Sequence, residues 1–255
     1  ISTEVNMTTR KIPKKPPLAE IRIVDRQDKT DDLAIIWLEK PEGYQFKPGQ
    51  YCTIGHDGIE RAYSIASAPH EEYIELFVEL VPLNEGGVLT PILWELNKGD
   101  KVTIRPRAKG IFTFKEEKSH QLLVSTVTGI VPYVSFIRNY IETNNSGHKF
   151  YVLAGASYYD EFIYDKEFIE FSESHPGLVN FIPSISRPNE EKNSGWHGDK
   201  GRVNNIIEDK IKELDLPSDD TMVYACGHPG MIEDVKERVT PLGFDFLEER
   251  FWKDD

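Results

Sequence analysis

The chain has 255 residues, 39% of them apolar and 29% charged. That is enough to bury one large core or two modest ones, in an ordinary globular composition that excludes a disordered polymer or a stapled miniprotein. Two cysteines, Cys52 and Cys226, exclude a disulfide framework, an iron–sulfur centre and a four-cysteine zinc site, and point to a reducing compartment. The formal net charge of −13 argues against a nucleic-acid partner. It is unevenly spread: residues 1–116 carry 16 Lys/Arg against 18 Asp/Glu, and residues 117–255 carry 14 against 25. Two units with different surfaces are expected, and an acidic partner meets less repulsion on the first.

The opening residues 1–17 are polar, with Arg10, Lys11, Lys14, Lys15, Pro16 and Pro17, and read as an extended arm without a signal-peptide core. The longest aliphatic-aromatic run, Leu33 to Leu38, is far short of the roughly 18 residues of a membrane span. A cytoplasmic, monomeric protein is the resulting expectation.

From Leu18 to about Phe114, short β-rich runs (AEIRIVD, LAIIWLEK, QYCTIG, RAYSIAS, YIELFVELV, KVTIRPR) are broken by PEG, KPG, HDG, NEGG and NKGD. The spacing predicts an antiparallel barrel or sandwich, interrupted by one short helix near Thr90 to Leu96. After about Ser119 the rhythm changes. Apolar runs (QLLVST, KFYVLAG, GLVNFIP, TMVYAC) alternate with helix-like stretches (VPYVSFIRNYIET, YDKEFIEFSES, VNNIIEDKIKEL, PGMIEDVKERV), predicting a parallel sheet covered by helices. Ligands of such sheets sit beyond the C-terminal strand ends, here the loops after Thr126, Gly155, Pro183 and Cys226. The expected division is an arm over 1–17, a β-barrel domain over 18–117 and an α/β domain over 118–255.

Four short motifs carry chemistry. In R-A-Y-S, Arg61 and Tyr63 share a strand face, where one can pair with phosphate and the other can stack on a planar ring, and Ser64 adds a hydroxyl. Downstream, G-G-V-L-T (86–90) is a Gly turn opening a helix, suited to a pyrophosphate or simply a hairpin turn. The stretch S-T-V-T-G-I-V-P-Y (125–133) joins strand to helix without the G-x-G-x-x-G fingerprint. In Y-A-C-G-H-P-G-M (224–231), Cys226 is either a structural core residue or a ligand-facing one, and His228 has no partner at metal-ligand spacing, so no metal site is expected. Each motif alone is compatible with ordinary packing.

Taken together, R-x-Y-S, G-x-L-T, x-T-G-I-x-P and C-G-x-P-x-M, in this order from about Leu18 to Trp252, resemble the ferredoxin–NADP(+) reductase family in its compact bacterial form. The resemblance implies an FAD-binding antiparallel barrel followed by an NADP-binding α/β domain, with FAD held non-covalently. It implies Arg61 on the FAD pyrophosphate, Tyr63 against the isoalloxazine, Ala62 between them, and Ser64 hydrogen-bonded near flavin N5. Gly87, Val88, Leu89 and Thr90 would face the diphosphate. Thr128 would lie between flavin and nicotinamide, with Gly129 and Pro132 shaping its turn and Cys226 and Gly227 lining the nicotinamide pocket. Ser186, Arg187 and Arg202 would hold the 2′-phosphate of NADP(H), and Phe251 or Trp252 would cover the flavin. Val127 stands where the family usually has Gly, Val131 where it often has Ala or Gly, and Ser157 where some relatives carry Arg.

The implied activity is electron transfer between NADPH and a one-electron carrier, ferredoxin or flavodoxin, by hydride transfer to or from flavin N5. Two alternatives stay open: a flavin, ferric or oxygenase-component reductase of the same fold, and a flavin-holding module without pyridine-nucleotide chemistry. The charge split predicts that an acidic carrier docks on the barrel side, near Arg105, Arg107, Lys109 and the arm.

Overall fold

The computed structural model describes residues 17–251, so the arm's cations and Trp252 lie outside the described residues. Six antiparallel strands form the first unit: β1 (Ala19–Asp28), β2 (Leu33–Glu39), β3 (Tyr51–His56), β4 (Ile59–Ser64), β5 (Tyr73–Glu79) and β6 (Lys101–Ile104), in the order β4-β3-β6-β1-β2-β5. The sheet curls until its edges approach. Just past β4, the Ala66 amide donates to the Glu75 carbonyl of β5 at 2.8 Å, nearly closing the barrel. The predicted short helix is α1 (Leu89–Glu95).

A parallel sheet follows, of order β10-β9-β8-β7-β11-β12. Its strands are β7 (His120–Thr126), β8 (Lys149–Ala156), β9 (Val179–Ile185), β10 (Asp199–Lys200), β11 (Thr221–Gly227) and β12 (Asp245–Arg250). Helices α2 (Val131–Glu142), α3 (Asp165–Ser174), α4 (Val203–Glu213) and α5 (Pro229–Val239) lie in the expected stretches. Strands β10 and β12 were not legible in the sequence. β10 is only two residues long, and β12 (DFLEER) is an edge strand with too few apolar residues to set a period. The third long strand runs to Ile185, two residues beyond the expected end, so its loop begins at Ser186.

The apolar run of β2 is explained by burial on both faces. Ile36 and Leu38 enter the barrel core with Ile74, Leu76 and Val78 of β5, because side chains alternate along a strand. Leu33, Ile35 and Phe77 point the other way, into a core shared with Phe112 and with Tyr133, Phe136 and Tyr224 of the second unit. The opposite side of the parallel sheet packs Leu122, Val124 and Leu153 beneath α4 and α5.

The junction between the units is pinned by polar groups. Tyr224 donates to Gln121 Oε1 at 2.6 Å and accepts from the Lys115 amide at 2.8 Å. Gln121 in turn donates to the carbonyls of Lys115 and Lys118. The stretch from Lys115 to Lys118, at the expected boundary, is therefore held at both ends.

Charge is also buried at the seam. Glu75, on the outer face of β5 and only 5% exposed, accepts from Trp37 Nε1 at 2.9 Å and from Tyr164 Oη at 2.7 Å. Arg138 of α2 reaches Glu75 at 3.2 Å, Glu71 at 3.3 Å and Glu167 of α3 at 2.7 Å. Its pKa is held above the ordinary arginine value by these carboxylates, Glu167 foremost, against the opposing effect of burial. Removing one partner of such a group leaves uncompensated buried charge, which costs about 3–5 kcal/mol. Arg138→Leu should therefore lower the urea midpoint strongly at neutral pH. A loss within about 0.5 kcal/mol, the size expected of an ordinary surface substitution, would contradict the electrostatic account.

Candidate functional site

The strand order reverses between β7 and β11, and it is outside such a switch point that a parallel sheet leaves a crevice. The turn after β7 is a single 3-10 turn, Val127–Ile130, running straight into α2 with Pro132 in the helix's first turn. Two glycines let it sit close against β11. A Cβ on Gly129 would meet the Cys226 carbonyl at 2.1 Å, and one on Gly227 (φ 127°) would meet Thr126 Oγ1 at 2.3 Å. The His228 amide then donates to that same Thr126 hydroxyl at 2.9 Å. Within this turn Val127 takes φ 37°, a left-handed conformation that β-branched residues adopt only under constraint from their surroundings.

Two clefts flank this turn. The first, of about 320 Å³, is lined on the barrel side by Arg61, Ala62, Tyr63 and Ser64 of β4 and by Gly86 to Thr90. Thr128, Val131 and Phe251 close it from the other unit. The second, of about 600 Å³, lies across the ends of the parallel strands, against Thr126, Gly155, Ser186, Arg202 and His228. Thr128, Glu79, Val81 and Glu85 line both, so the clefts meet at the seam.

Within the first cleft, Ser64 is 6% exposed and its hydroxyl has no hydrogen-bond partner, an uncommon state for a buried polar atom. Tyr63 is half-buried, and burial raises its phenol above the ordinary range despite the nearby Arg61. Arg61 is exposed and donates to the Glu60 carbonyl at 2.7 Å. Gly87 packs so tightly on the chain that a Cβ would meet the Val81 carbonyl at 1.6 Å. The Thr90 hydroxyl is already engaged, accepting from the Val81 amide at 3.0 Å and donating to the Val81 carbonyl, so it anchors the loop to the chain two residues past β5.

The second cleft gathers Ser186 and Arg202 but not Arg187. Arg187 turns towards Glu190 (3.4 Å) and the Tyr158 hydroxyl (3.1 Å), with its guanidinium over the Tyr158 ring. Asn193, only 1% exposed and not singled out in the sequence, ties the loops after β8 and β9 together through the carbonyls of Ser157 and Arg187 and the amide of Tyr159.

Cys226 lies one residue before the end of β11, paired with Ser125 on one side and Glu249 on the other. Its side chain is wholly buried in the shared core and lines neither cleft. Gly129, Pro132 and Gly227 line neither cleft either; they shape the turn from behind. Burial, and the nearby Glu249, hold the Cys226 thiol well above the usual range, so it stays protonated. Of the barrel-side cations proposed for docking, Arg105 is paired with Glu60 through two hydrogen bonds of 2.8 Å, whereas Arg107 and Lys109 are exposed.

Glu79 and Glu249 escaped the sequence reading. The available signal was a pair of glutamates, Glu75 and Glu79, on one face of a strand otherwise buried along its length. Glu249 is pushed up to about 7 by burial. A carboxyl with a folded pKa above its unfolded value of 4.5 favours folding below that value and loses this contribution as pH rises through 7. Since water screens part of the group, the effect is on the order of 1 kcal/mol, or about 2–4 °C. Glu249→Gln should melt higher than the parent at pH 8.5 and together with it near pH 4.5, as read by circular dichroism.

Comparison with known proteins places these features. Residues 123–237 match the family model described as "Oxidoreductase NAD-binding domain". The chain is 30% identical over 192 residues to protein RfbI of Salmonella typhimurium, covering 75% of this chain and 54% of that protein. It is 29% identical to a ferredoxin–NADP reductase of Pseudomonas aeruginosa, covering 87% of this chain and 89% of that one. Among solved structures, a ferredoxin NADP+ reductase from Neisseria gonorrhoeae with bound FAD and NADP superposes with a TM-score of 0.79 at 21% identity, covering 93% of this chain and 100% of that one. The chain spans about half the length of the curated relatives it matches at 30% identity.

Proposed function

Because the chain belongs to the ferredoxin–NADP(+) reductase family, whose members are NAD(P)-dependent flavoprotein oxidoreductases, we propose that it passes electrons between NADPH and a one-electron protein carrier, ferredoxin or flavodoxin. The observation that carries the reading is the meeting of the two clefts at Thr128, the first lined by the R-A-Y-S and G-G-V-L-T motifs, which suit a flavin nucleotide, and the second lying across the parallel strand ends, which suit a dinucleotide. The residues fit both groups. A buried, unpartnered Ser64 hydroxyl awaits a hydrogen-bond partner, and an exposed Arg202 stands beside Ser186 at the far end of the second cleft.

FAD, when bound, supplies the chemistry that the side chains lack, accepting a hydride and releasing electrons singly. The chain's own residues bind, orient and exclude water. Arg61 would pair with the pyrophosphate, Tyr63 would offer a ring face, and Ser64 would direct its hydroxyl at the flavin. Phe251, which lines the same cleft from the second unit, would cover the flavin. Thr128, fixed by the turn that Gly129 and Gly227 allow, would lie between flavin and nicotinamide. Cys226 acts as a positioning residue beneath that turn, and its protonated thiol supplies packing, not a proton.

A second reading, the reductase part of a larger redox assembly, is favoured by the longer chains of the relatives at 30% identity. Stopped-flow reduction by NADPH followed by mixing with oxidised ferredoxin separates the two. Electron delivery at turnover rate supports the first; rapid flavin reduction without delivery to either carrier supports the second.

Two further outcomes follow. The protein should purify yellow with non-covalent FAD, and Arg61→Ala should weaken FAD by roughly 1.5–3 kcal/mol, the worth of one charge-assisted hydrogen bond; preference for FMN would defeat the assignment. Arg202→Ala should raise KM for NADPH about tenfold or more and leave NADH turnover unchanged. Arg187→Ala should do less, because Arg187 must first leave Glu190 to reach a phosphate. Equal use of NADH and NADPH by the unmodified protein would remove the 2′-phosphate site.

A further inference from the structure

Glu79 ends β5 where the clefts join, and it lines both. Around it three segments converge: β5 itself, the β1–β2 turn carrying Asp32, and the loop after β8 carrying Glu161. Glu161 has a partner, accepting from the Tyr158 amide at 2.8 Å. Among the described residues, no cation or hydrogen-bond donor holds the Glu79 carboxyl. Facing the same space are Glu85, Arg61 in the first cleft, and Arg202 and His228 in the second.

A dinucleotide reaching from Ser186 and Arg202 to Thr128 must carry its diphosphate past this junction. We infer that Glu79 is a specificity-determining residue that sets how readily the junction accepts a dinucleotide diphosphate. As a carboxylic acid it donates a hydrogen bond to a phosphate oxygen; as a carboxylate, backed by Asp32 and Glu161, it repels one. The inference rests on the dinucleotide reading of the second cleft.

Burial, then Asp32 and Glu161, push Glu79 up to about 7, so that its ionisation falls within the working range. The sign is fixed. Affinity for the diphosphate is greatest below this value and falls as pH rises through it, because the complex binds one more proton than the free protein does at higher pH.

The test is titration of the FAD-loaded protein with NADP+, followed by the flavin difference spectrum, at about pH 6 and about pH 8.5. Parent and Glu79→Gln are compared, so that any contribution common to both cancels. The parent should weaken about tenfold more than Glu79→Gln between these pH values, the effect of one unit charge near another at short range. Asp32→Asn keeps Glu79 but removes a neighbouring charge, and should move the parent's midpoint to lower pH. Identical pH dependence in parent and Glu79→Gln, or an unmoved midpoint in Asp32→Asn, overturns the inference while leaving the dinucleotide site intact. Absence of NADP+ binding to the parent at either pH overturns the dinucleotide reading, and this inference with it.

Discussion

One guanidinium meets three carboxylates at the seam between barrel and parallel sheet, and the geometry of the site depends on that contact. Arg138 projects from α2, the helix whose first turn follows Thr128, and it reaches Glu71 and Glu75 on the barrel. A shift of α2 relative to β5 would carry Thr128 away from Tyr63 and Ser64. The ionic contact is directional where apolar packing is not, so the arginine fixes the register in which the shared core assembles. Ser135 of the same helix donates to the Ser67 carbonyl at 2.9 Å and adds a second fixed point.

The seam also explains an apparent excess of buried apolar surface on the barrel. A free-standing barrel of this size would show polar residues on the outer faces of β2 and β5. Here Leu33, Ile35 and Phe77 occupy them, and the acidic side chains that interrupt the pattern are those bonded by Arg138 or left facing the clefts. Burial of Tyr133, Phe136 and Tyr224 against these strands makes the second unit the lid of the first.

Much of this was legible in the sequence because it rests on period and punctuation. The change from short strands to β-α-β alternation, the four long helices after Gly129 and the motif around Arg61 to Ser64 all follow from residue order. What stayed hidden depends on three-dimensional neighbours. Cys226 reads as either a core or a ligand-facing residue because it ends an apolar run beside Gly227, and only the fold shows its side chain inside the shared core. The resemblance puts Arg187 on the 2′-phosphate, but Glu190 and Tyr158 engage it through the fold of their loop, which residue order does not show. The carboxyl of Glu79 looks like one solvated charge among many until Asp32 and Glu161 are brought beside it.

The two-sided burial of β2 and β5 limits how this architecture can be recombined. A nucleotide-binding half taken from a relative would arrive with its own complement to Leu33, Ile35, Trp37, Glu75 and Phe77, and would meet a foreign surface here. Chimeras that exchange whole halves at the Lys115–Lys118 joint should fail unless the outer residues of these two strands travel with the transplanted partner. The unit of modular exchange is therefore the half together with the face it covers, and that face is encoded some forty to eighty residues upstream of the joint.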